Sequence, residues 1–206
     1  LKITITNYPE GQIEYLDAEI NPNQPELGTY KIPFGREIYI EQEDFKEEAN
    51  NKFFRLKPGG EVRLMGAYII KYEDIVKDEN GNVVEITATY DPQTKGGTTP
   101  DGRKVKGTIH WVDAATAKTA EVRLYSSLFL DAEPEAGDND YLDVLNRDSL
   151  ETLTDCKVEA GILPANDATS FQFMRLGYFC IDNVDSTDEH PVFNRSVSLK
   201  DSFNKK

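Results

Sequence analysis

The chain has 206 residues, of which 38% are hydrophobic and 29% charged, and its formal net charge is −14. This length and apolar content suffice for one or two globular domains with buried cores, and no apolar run approaches the roughly 20 residues of a membrane-spanning helix. Its two cysteines, Cys156 and Cys180, are too few for a disulfide framework, so we expect reduced thiols and a soluble, cytoplasmic protein.

The negative charge is unevenly distributed along the chain. Segment 131–159 contains ten acidic residues and two basic ones, whereas cations are concentrated in two short stretches. The first stretch contains Lys52, Arg55, Lys57 and Arg63, and the second contains Lys95, Arg103, Lys104 and Lys106. A strongly acidic protein normally repels nucleic acid, because phosphate binding requires a basic footprint. The two basic stretches leave such a partner open, although solvated loops would explain them equally well.

Short runs of alternating apolar and polar residues, separated by Gly, Pro and Asn, predict an all-β protein. In chain order, the apolar positions of this alternation are Ile3 and Ile5, Ile38 and Ile40, Val62 and Leu64, Val105, Ile109 and Trp111, Val122 and Leu124, and Val197 and Leu199. The clearest hairpin joins 68–77 to 83–90 through 78–81, where Asn-Gly supplies the positive φ angles of a primed turn.

One segment departs from the two-residue period. Asp44 is suited to cap a helix, and Phe45, Ala49 and Phe53 then lie on one face, which predicts a short helix ending before Pro58. A second short helix is predicted over 141–145, and loops are predicted over 131–140 and 155–170. The polar, Gly-rich segment 91–103 predicts a domain boundary near its end, which gives domains 1–103 and 104–206.

The sequence contains no recognisable catalytic centre. His110 and His190 are the only histidines, and neither has a Cys, Asp or Glu partner at metal-ligand spacing. No Gly-rich loop followed by Lys and Ser or Thr is present to hold a phosphate. We therefore expect no catalytic residue, metal or cofactor in this chain.

Residues suited to reading RNA are easier to find. Unstacked RNA bases are recognised by hydrogen bonds to their edges and by stacking on aromatic or guanidinium planes. Arginine is well suited to this because its planar fork donates two parallel hydrogen bonds and stays charged. Alternation in GEVRLMGAY places Arg63 and Met65 on the face opposite Val62 and Leu64, where they can meet a base.

Nine segments in chain order carry a resemblance to a known family. They are YPEGQIEY, NPNQPELG, REIYIEQEDFKEEANNKFFRL, GEVRLMGAYIIKYE, NGNVVEITATYD, DGRKVKGTIHWVDAA, AEVRLYSSLF, FQFMRLGYFCID and PVFNRSVSLKD. Together they resemble the C-terminal anticodon-binding region of the glutaminyl-tRNA synthetases, of the class I Glu/Gln subgroup. The resemblance covers essentially the whole chain. It implies two antiparallel β-barrels of the glutaminyl-tRNA synthetase and ribosomal protein L25-like type, with one or two short helices.

The resemblance also implies a partner and a larger context. The partner would be the CUG or UUG anticodon loop of a glutamine tRNA. The family's HIGH-type and KMSKS-like catalytic motifs are absent from this sequence. The resemblance therefore implies a longer polypeptide whose catalytic domain, upstream of Leu1, uses ATP with Mg²⁺ to ligate glutamine.

Individual RNA-binding residues follow from the resemblance. Arg55 matches an arginine that reads the third anticodon base, and Arg63 matches one that reads the first. Gln172 and Arg175 match residues that read the central uracil. The remaining matched or neighbouring positions are Asn23 near the anticodon loop, Lys52, Phe54 and Met65.

Two of these positions depart from the bacterial pattern. Phe54 replaces a lysine, so it can stack on a base but not bind phosphate, and Met65 replaces a second arginine, which removes a donor for the first base. A geometric condition also applies, because Gln172 and Arg175 would point to opposite faces of an unbroken strand. They converge only if the backbone turns or bulges over 175–177, where Gly177 favours it.

Several readings remain open from the sequence. The corresponding region of a glutamyl-tRNA synthetase would read UUC instead. An acidic, β-rich protein-interaction or cell-surface domain would bind no nucleic acid. As purely structural residues, Arg55 would cap a helix end and Arg63 would lie on the surface of a strand. Gln172 and Arg175 would be ordinary polar residues of a hairpin.

Overall fold

The computed structural model describes residues 1–21, 23–136, 140–162 and 169–199. The chain forms two compact units, Leu1–Ala117 and Lys118–Lys206, called here the N-terminal and C-terminal units. Within the described ranges, regular structure consists of β-strands and short 3-10 helices. The all-β prediction is confirmed. No helix among the described residues has the length and apolar character needed to cross a membrane.

The N-terminal unit contains nine strands. They are β1 (Lys2–Ile5), β2 (Glu14–Glu19), β3 (Thr29–Phe34), β4 (Glu37–Tyr39), β5 (Glu61–Leu64), β6 (Ile69–Lys77), β7 (Val83–Asp91), β8 (Thr108–Ile109) and β9 (Val112–Asp113). Seven of them form one sheet in the order β8-β5-β6-β7-β1-β4-β9, and β2 pairs with β3. The pairs β1–β7 and β5–β8 are parallel, and the other pairs of this sheet are antiparallel.

The seven-stranded sheet curls back on itself. Its two edge strands, β8 and β9, are separated in the chain only by His110 and Trp111. Because an extended residue spans at most about 3.6 Å, this connection keeps the two edges close together. The sheet therefore approaches a closed barrel, as the resemblance implies.

Aromatic side chains fill the interior of this curled sheet. Phe34 is fully buried. The centroid of its ring lies 5.1 Å from the centroids of Tyr68 and Trp111 and 5.2 Å from that of Tyr8. The indole Nε1 of Trp111 donates to the carbonyl oxygen of Met65 at 3.0 Å. A buried indole normally finds such an acceptor. Trp111 therefore belongs to the core, as its alternation predicts, and it fixes the end of β5.

The predicted hairpin is present as β6 and β7, but its turn differs from expectation. Of its turn residues, Gly81 alone has a positive φ, at 84°. The Asp78 carboxylate accepts hydrogen bonds from the backbone amides of Asn80 and Asn82, at 2.9 and 2.8 Å. This side-chain capping stabilises a longer turn in place of the primed one, because an Asp side chain mimics a backbone acceptor.

The predicted helix over 44–53 is wrong. A 3-10 helix over Gln42–Asp44 ends there, and Phe45 is extended and forms a parallel bridge with Leu56. Phe45 is buried, and its ring stacks on Tyr72 at 6.1 Å. Burial of Asp44 and Phe45 against other elements therefore outweighs a weak local helix preference.

The C-terminal unit is built on one five-stranded sheet. Its strands are β10 (Lys118–Tyr125), β11 (Leu150–Val158), β12 (Ser170–Phe173), β13 (Gly177–Ile181) and β14 (Val192–Ser198), in the order β11-β10-β14-β13-β12. β10 and β14 are parallel, and the other pairs are antiparallel. Val122, Phe179 and Phe193 form the core of this sheet, with Phe171 and Phe173 packed against them.

Local predictions for the C-terminal unit have mixed outcomes. The second short helix is confirmed as a 3-10 helix over Tyr141–Val144, and residues 131–136 form no regular element. The loop prediction is wrong for 155–158, which belong to β11 because Ala120 and Cys156 pair and pack in the core. Residues 137–139 and 163–168 of the predicted loops lie outside the described residues. Neither Cys156 nor Cys180 forms a disulfide.

The N-terminal unit extends beyond the expected boundary at 103/104. β8 pairs with β5, and β9 pairs with β4, so residues 108–113 complete the N-terminal sheet. Segment 91–103 also packs on this unit, because the buried Thr94 hydroxyl accepts the Ile69 amide at 2.9 Å. The division between the compact units therefore falls at 117/118.

Candidate nucleic-acid interface

The loop 50–57 precedes β5, and the backbone of its Phe54 lies against the backbone of Gly107. A β-carbon placed on Gly107 would lie 1.7 Å from the carbonyl oxygen of Phe54 and 3.2 Å from Cγ2 of Val62. Only glycine permits this close backbone approach. The loop is thereby fixed against the segment that leads into β8.

Phe54 and Lys106 meet at the surface beside this contact. Phe54 is 49% exposed. The Nζ atom of Lys106 lies 4.9 Å from the centroid of the Phe54 ring. Distances below about 6 Å allow an attractive cation–π interaction.

The side chain of Arg55 is bonded to the 3-10 helix Gln42–Asp44, which precedes it in the chain. Its Nη1 donates to the Glu43 carbonyl oxygen at 3.0 Å, and its Nε lies 3.3 Å from Oδ1 of Asp44. Asp44 is fully buried, whereas the Arg55 side chain is 35% exposed. A buried carboxylate requires such a partner. The pair holds the guanidinium in one orientation with part of it open to solvent.

Arg63 is held by backbone carbonyls from two other segments. Its Nε donates to the Gly97 oxygen at 2.7 Å, and its Nη1 donates to the Val105 oxygen at 3.1 Å and to the Thr108 hydroxyl at 3.4 Å. These bonds join β5 to the segment that follows β7 and to the segment that precedes β8. Within the described part of the chain, these hydrogen bonds use Nε and Nη1 of the guanidinium, and Nη2 takes part in none of them.

Met65 lies at the end of the same strand and on the same face. Alternation is confirmed here, because Val62 and Leu64 are fully buried while Arg63 and Met65 are partly exposed. The Met65 amide donates to the Ile109 carbonyl at 3.0 Å. The Met65 backbone is thus bonded to the connection around Trp111, and its side chain is partly exposed.

Lys52 and Asn23 lie in exposed turns with local hydrogen bonding. The Lys52 amide donates to the Asn50 side chain at 2.9 Å, within the loop that carries Phe54. The Asn23 amide donates to the Asn21 side chain at 2.9 Å, in the connection between β2 and β3. Lys52 therefore belongs to the loop 50–57, whereas Asn23 lies in a different connection.

The second basic stretch is partly neutralised by carboxylates. Arg103 lies 2.7 Å from Asp91, 3.3 Å from Glu61 and 2.5 Å from Asp101. Its hydrogen bonds to Asp91 and Asp101 raise the pKa of Arg103 and lower the pKa of both aspartates. Lys95 pairs with Glu14 at 2.7 Å. These two cations stabilise the N-terminal unit itself.

Four lysines remain as the accessible cations of the two basic stretches. Among the described residues, no carboxylate pairs with the side chains of Lys52, Lys57, Lys104 or Lys106. Three of them are exposed, and Lys57 is partly exposed. Their ammonium groups are suited to bind phosphate as point charges.

The C-terminal unit presents Gln172 and Arg175 on one hairpin. Gln172 is exposed on β12 opposite Tyr178 of β13, whose side chain is 47% exposed. Arg175 lies in the turn between these strands with a φ of 67°, a left-handed conformation that is rare for a residue with a side chain. The turn that convergence of Gln172 and Arg175 requires is therefore present.

Gly177 follows this turn as the first residue of β13. Its φ is 153°, and a β-carbon on it would lie 2.4 Å from the carbonyl oxygen of Val197 on β14. The two strands approach too closely for any side chain at this position.

Sequence reasoning missed the contact between Lys106 and Phe54. It placed Lys106 in a basic stretch but not among the RNA-binding residues. The available signal was Gly107, since a glycine inside a strand pattern often marks the close approach of another backbone. Among the described residues, no group of three or more His, Cys, Asp or Glu side chains is arranged to hold a metal ion.

Comparison with known proteins places this geometry in a family. The family described as tRNA synthetases class I (E and Q), anti-codon binding domain, matches in two blocks, residues 1–91 and 108–182. The gap between the blocks includes the expected domain boundary at 103/104.

Relatives support the same family over the full chain. A glutamine–tRNA ligase of Bradyrhizobium diazoefficiens is 51% identical over 205 residues, covering 100% of this chain and 36% of the relative. One from Clostridioides difficile is 53% identical over 203 residues, covering 98% of this chain and 37% of the relative. The chain thus spans little more than a third of the length of these relatives. It belongs to the anticodon-binding domain family of the class I tRNA synthetases of the E and Q type.

Proposed function

We propose that this chain is the anticodon-binding part of a glutamine–tRNA ligase and that it recognises the CUG and UUG anticodons of glutamine tRNA. The whole enzyme would ligate glutamine to this tRNA in the cytoplasm. The ATP and Mg²⁺ for that reaction would be bound by a catalytic domain of the same polypeptide upstream of Leu1. The relatives, which are glutamine–tRNA ligases about half identical to this chain, support the proposal.

The observation that carries the proposal is the surface around Gly107. There a half-exposed aromatic ring, an anchored guanidinium and unneutralised lysines lie within the loop 50–57 and the segment before β8 that supports it. RNA loops are read by stacking, by hydrogen bonds to base edges and by contacts to phosphate. The loop 50–57 and its support offer all three.

Each base-reading residue has a specific role in this proposal. Arg55 would read the third anticodon base, because the Asp44 pair holds its guanidinium in place. Arg63 would read the first base through Nη2, since its other nitrogens bind the Gly97 and Val105 carbonyls. With Met65 beside it, the first-base position has few donors and would tolerate both C and U. Gln172 and Arg175 would read the central uracil.

The remaining candidate residues would support the RNA without reading a base. Lys52 would contact phosphate from the loop 50–57, and Asn23 would lie near the anticodon loop. Phe54 would supply an apolar plane. These roles follow from the exposure of each residue and from the resemblance.

A binding measurement on the 206-residue chain tests the assignment. Arg55→Ala and Arg175→Ala should each weaken binding of a CUG anticodon stem-loop by about 1 to 3 kcal/mol. The matched control is Arg147→Ala, which removes an exposed arginine from the acidic segment and should leave the affinity unchanged. Wild-type affinity in both the Arg55 and the Arg175 variants would defeat the proposal.

A second function is favoured by Phe54 and Met65, the two departures from the glutaminyl pattern. A glutamyl-tRNA synthetase of the same subgroup would bind a UUC stem-loop more tightly than a CUG stem-loop. Measuring both affinities under one salt condition distinguishes the two enzymes. A preference for UUC would replace the glutamine assignment with the glutamate one.

The salt dependence of RNA binding tests the alternative that this chain is a protein-interaction domain that binds no nucleic acid. Phosphate contacts release counterions, so the logarithm of the affinity should fall as the logarithm of the salt concentration rises. A protein-interaction domain would show a flat response or no RNA binding at low ionic strength. Either result would support that reading against the proposed one.

A further inference from the structure

A pair of residues at the surface of the N-terminal unit is chemically complementary to one part of an RNA strand. The Phe54 ring is 49% exposed, and the ammonium of Lys106 lies 4.9 Å from its centroid. Among the described residues, Lys106 has no carboxylate partner, in contrast to Lys95 and Arg103 of the same basic stretch.

We propose that Phe54 and Lys106 form a two-part nucleotide subsite, in which the ring stacks on an unpaired base and the ammonium binds a phosphate of the same strand. This inference rests on the proposed function and adds Lys106 to its RNA-binding residues. It also gives Phe54 a defined role, since Lys106 brings from a second segment the positive charge that a phenylalanine lacks.

Structural stability alone does not account for the pair. The loop 50–57 is already fixed by the contact between the Phe54 backbone and Gly107. An exposed cation–π contact adds only about 0.5 to 1 kcal/mol. The exposed ring leaves apolar surface in water, which stacking on a base would remove.

The chemistry of the pair selects a nucleotide over a peptide. Every base presents a flat π-face, and stacking on an aromatic side chain does not depend on base identity. A nucleotide carries its phosphate on the sugar beside the base, so a ring and an ammonium in contact match neighbouring parts of one strand. The subsite would therefore contribute affinity without sequence preference, next to the base-reading Arg55.

A nearby pair of the same type provides an internal control. The Nζ atom of Lys46 lies 5.4 Å from the centroid of the Phe53 ring, and Phe53 is only partly exposed. Lys46→Gln removes the same charge and the same type of contact as Lys106→Gln. The two variants differ only in which ring, Phe53 or the more exposed Phe54, loses its cation.

The experiment measures affinity for a CUG stem-loop as a function of salt. Phe54→Leu keeps an apolar side chain but removes the stacking plane, and it should weaken binding about 5- to 100-fold. Lys106→Gln should reduce the slope of log affinity against log salt by about 0.7, the value for one phosphate of a single strand. Lys46→Gln should change neither quantity. The double variant of Phe54 and Lys106 should lose less than the product of the two single effects if both groups bind one nucleotide.

The outcomes separate this inference from the proposed function. If Arg55→Ala weakens binding while Phe54→Leu and Lys106→Gln bind as the wild type does, only the two-part subsite is wrong. The subsite is also wrong if Lys46→Gln lowers the salt slope as much as Lys106→Gln, because the effect would then be one of overall charge. If the wild-type chain binds neither CUG nor UUC stem-loops, both proposals are overturned.

Discussion

The carbonyl oxygen of Phe54 lies directly against the α-carbon of Gly107, where a β-carbon would be only 1.7 Å away. These two residues are far apart in the sequence, yet their contact positions the loop 50–57 on the segment that leads into β8. Phe54 lies on one side of this close backbone approach and Lys106, the neighbour of Gly107, on the other. The geometry of the Phe54 and Lys106 pair is therefore coupled to a glycine.

Gly107→Ala should displace the loop 50–57. Because the overlap is with backbone and not with a flexible side chain, the loop or the strand must move, at a cost of about 1 to 3 kcal/mol in the free energy of unfolding. Stability against urea and stem-loop affinity should both decrease. Gly161→Ala is the control, since among the described residues its β-carbon would meet only Oε1 of Glu159, at 3.7 Å, an ordinary contact. Equal stability of the two variants would contradict the role given to Gly107.

Prediction from sequence succeeded where the side-chain pattern and the fold demand the same conformation. The hairpin of β6 and β7 was predicted because Ile86 and Ala88 alternate with polar residues, and the structure buries both completely. Trp111 was predicted as core for the same reason. In these strands each local preference agrees with tertiary packing, so the sequence pattern alone is sufficient.

Prediction failed where distant contacts decide the local structure. The four-residue spacing of Phe45, Ala49 and Phe53 is typical of a helix, but Asp44 and Phe45 are instead buried next to Leu56 and Tyr72. The sequence around Asp44 and Phe45 does not indicate that Leu56 and Tyr72 are their contact partners. For the same reason, sequence reasoning identified Arg63 as exposed on a strand face but not that two backbone carbonyls engage its guanidinium.

Arg63→Lys should destabilise the N-terminal unit. A lysine ammonium has neither the planar fork nor the reach to serve the Gly97 and Val105 carbonyls at once, so one acceptor loses its charged donor. We expect a loss of about 1 to 3 kcal/mol in the free energy of unfolding, measured by urea denaturation. Arg147→Lys changes an exposed arginine and should leave the midpoint unchanged. An Arg63→Lys variant as stable as the wild type would show that these hydrogen bonds contribute little.

Asp182→Asn should destabilise the C-terminal unit in a pH-dependent way. The Asp182 carboxylate accepts hydrogen bonds from the amide of Asp185, the side chain of Asn194 and the amide of Val184, at 2.8 to 2.9 Å. These bonds lower its pKa from 3.8 to about 2. A lowered pKa stabilises the folded state above the unfolded value of 3.8, and this contribution disappears as the pH falls towards 2.

The measurement is urea unfolding of the wild type and the variant between pH 7 and pH 2.5. The difference in stability should be constant above about pH 5 and should shrink below about pH 4, because Asp182 of the unfolded wild type then takes up a proton that the folded state does not yet bind. Asp148→Asn makes the same charge change at an exposed position and should show no such dependence. A difference that stays constant down to pH 2.5 would mean that the ionised carboxylate is not the stabilising form.

Gln172→Glu should remove discrimination at the central anticodon base. The exposed amide of Gln172 can donate to one uracil edge atom and accept from another, whereas an ionised glutamate only accepts and repels the phosphates. The wild-type chain should therefore bind CUG more tightly than CCG, by about 1 to 3 kcal/mol, and the variant should lose that preference. Gln12→Glu adds the same charge at an exposed turn and should keep the preference, although both variants lose some affinity to repulsion. If Gln172→Glu discriminates between CUG and CCG as well as the wild type does, Gln172 does not read the central base, and Arg175 alone would remain as the candidate on this hairpin.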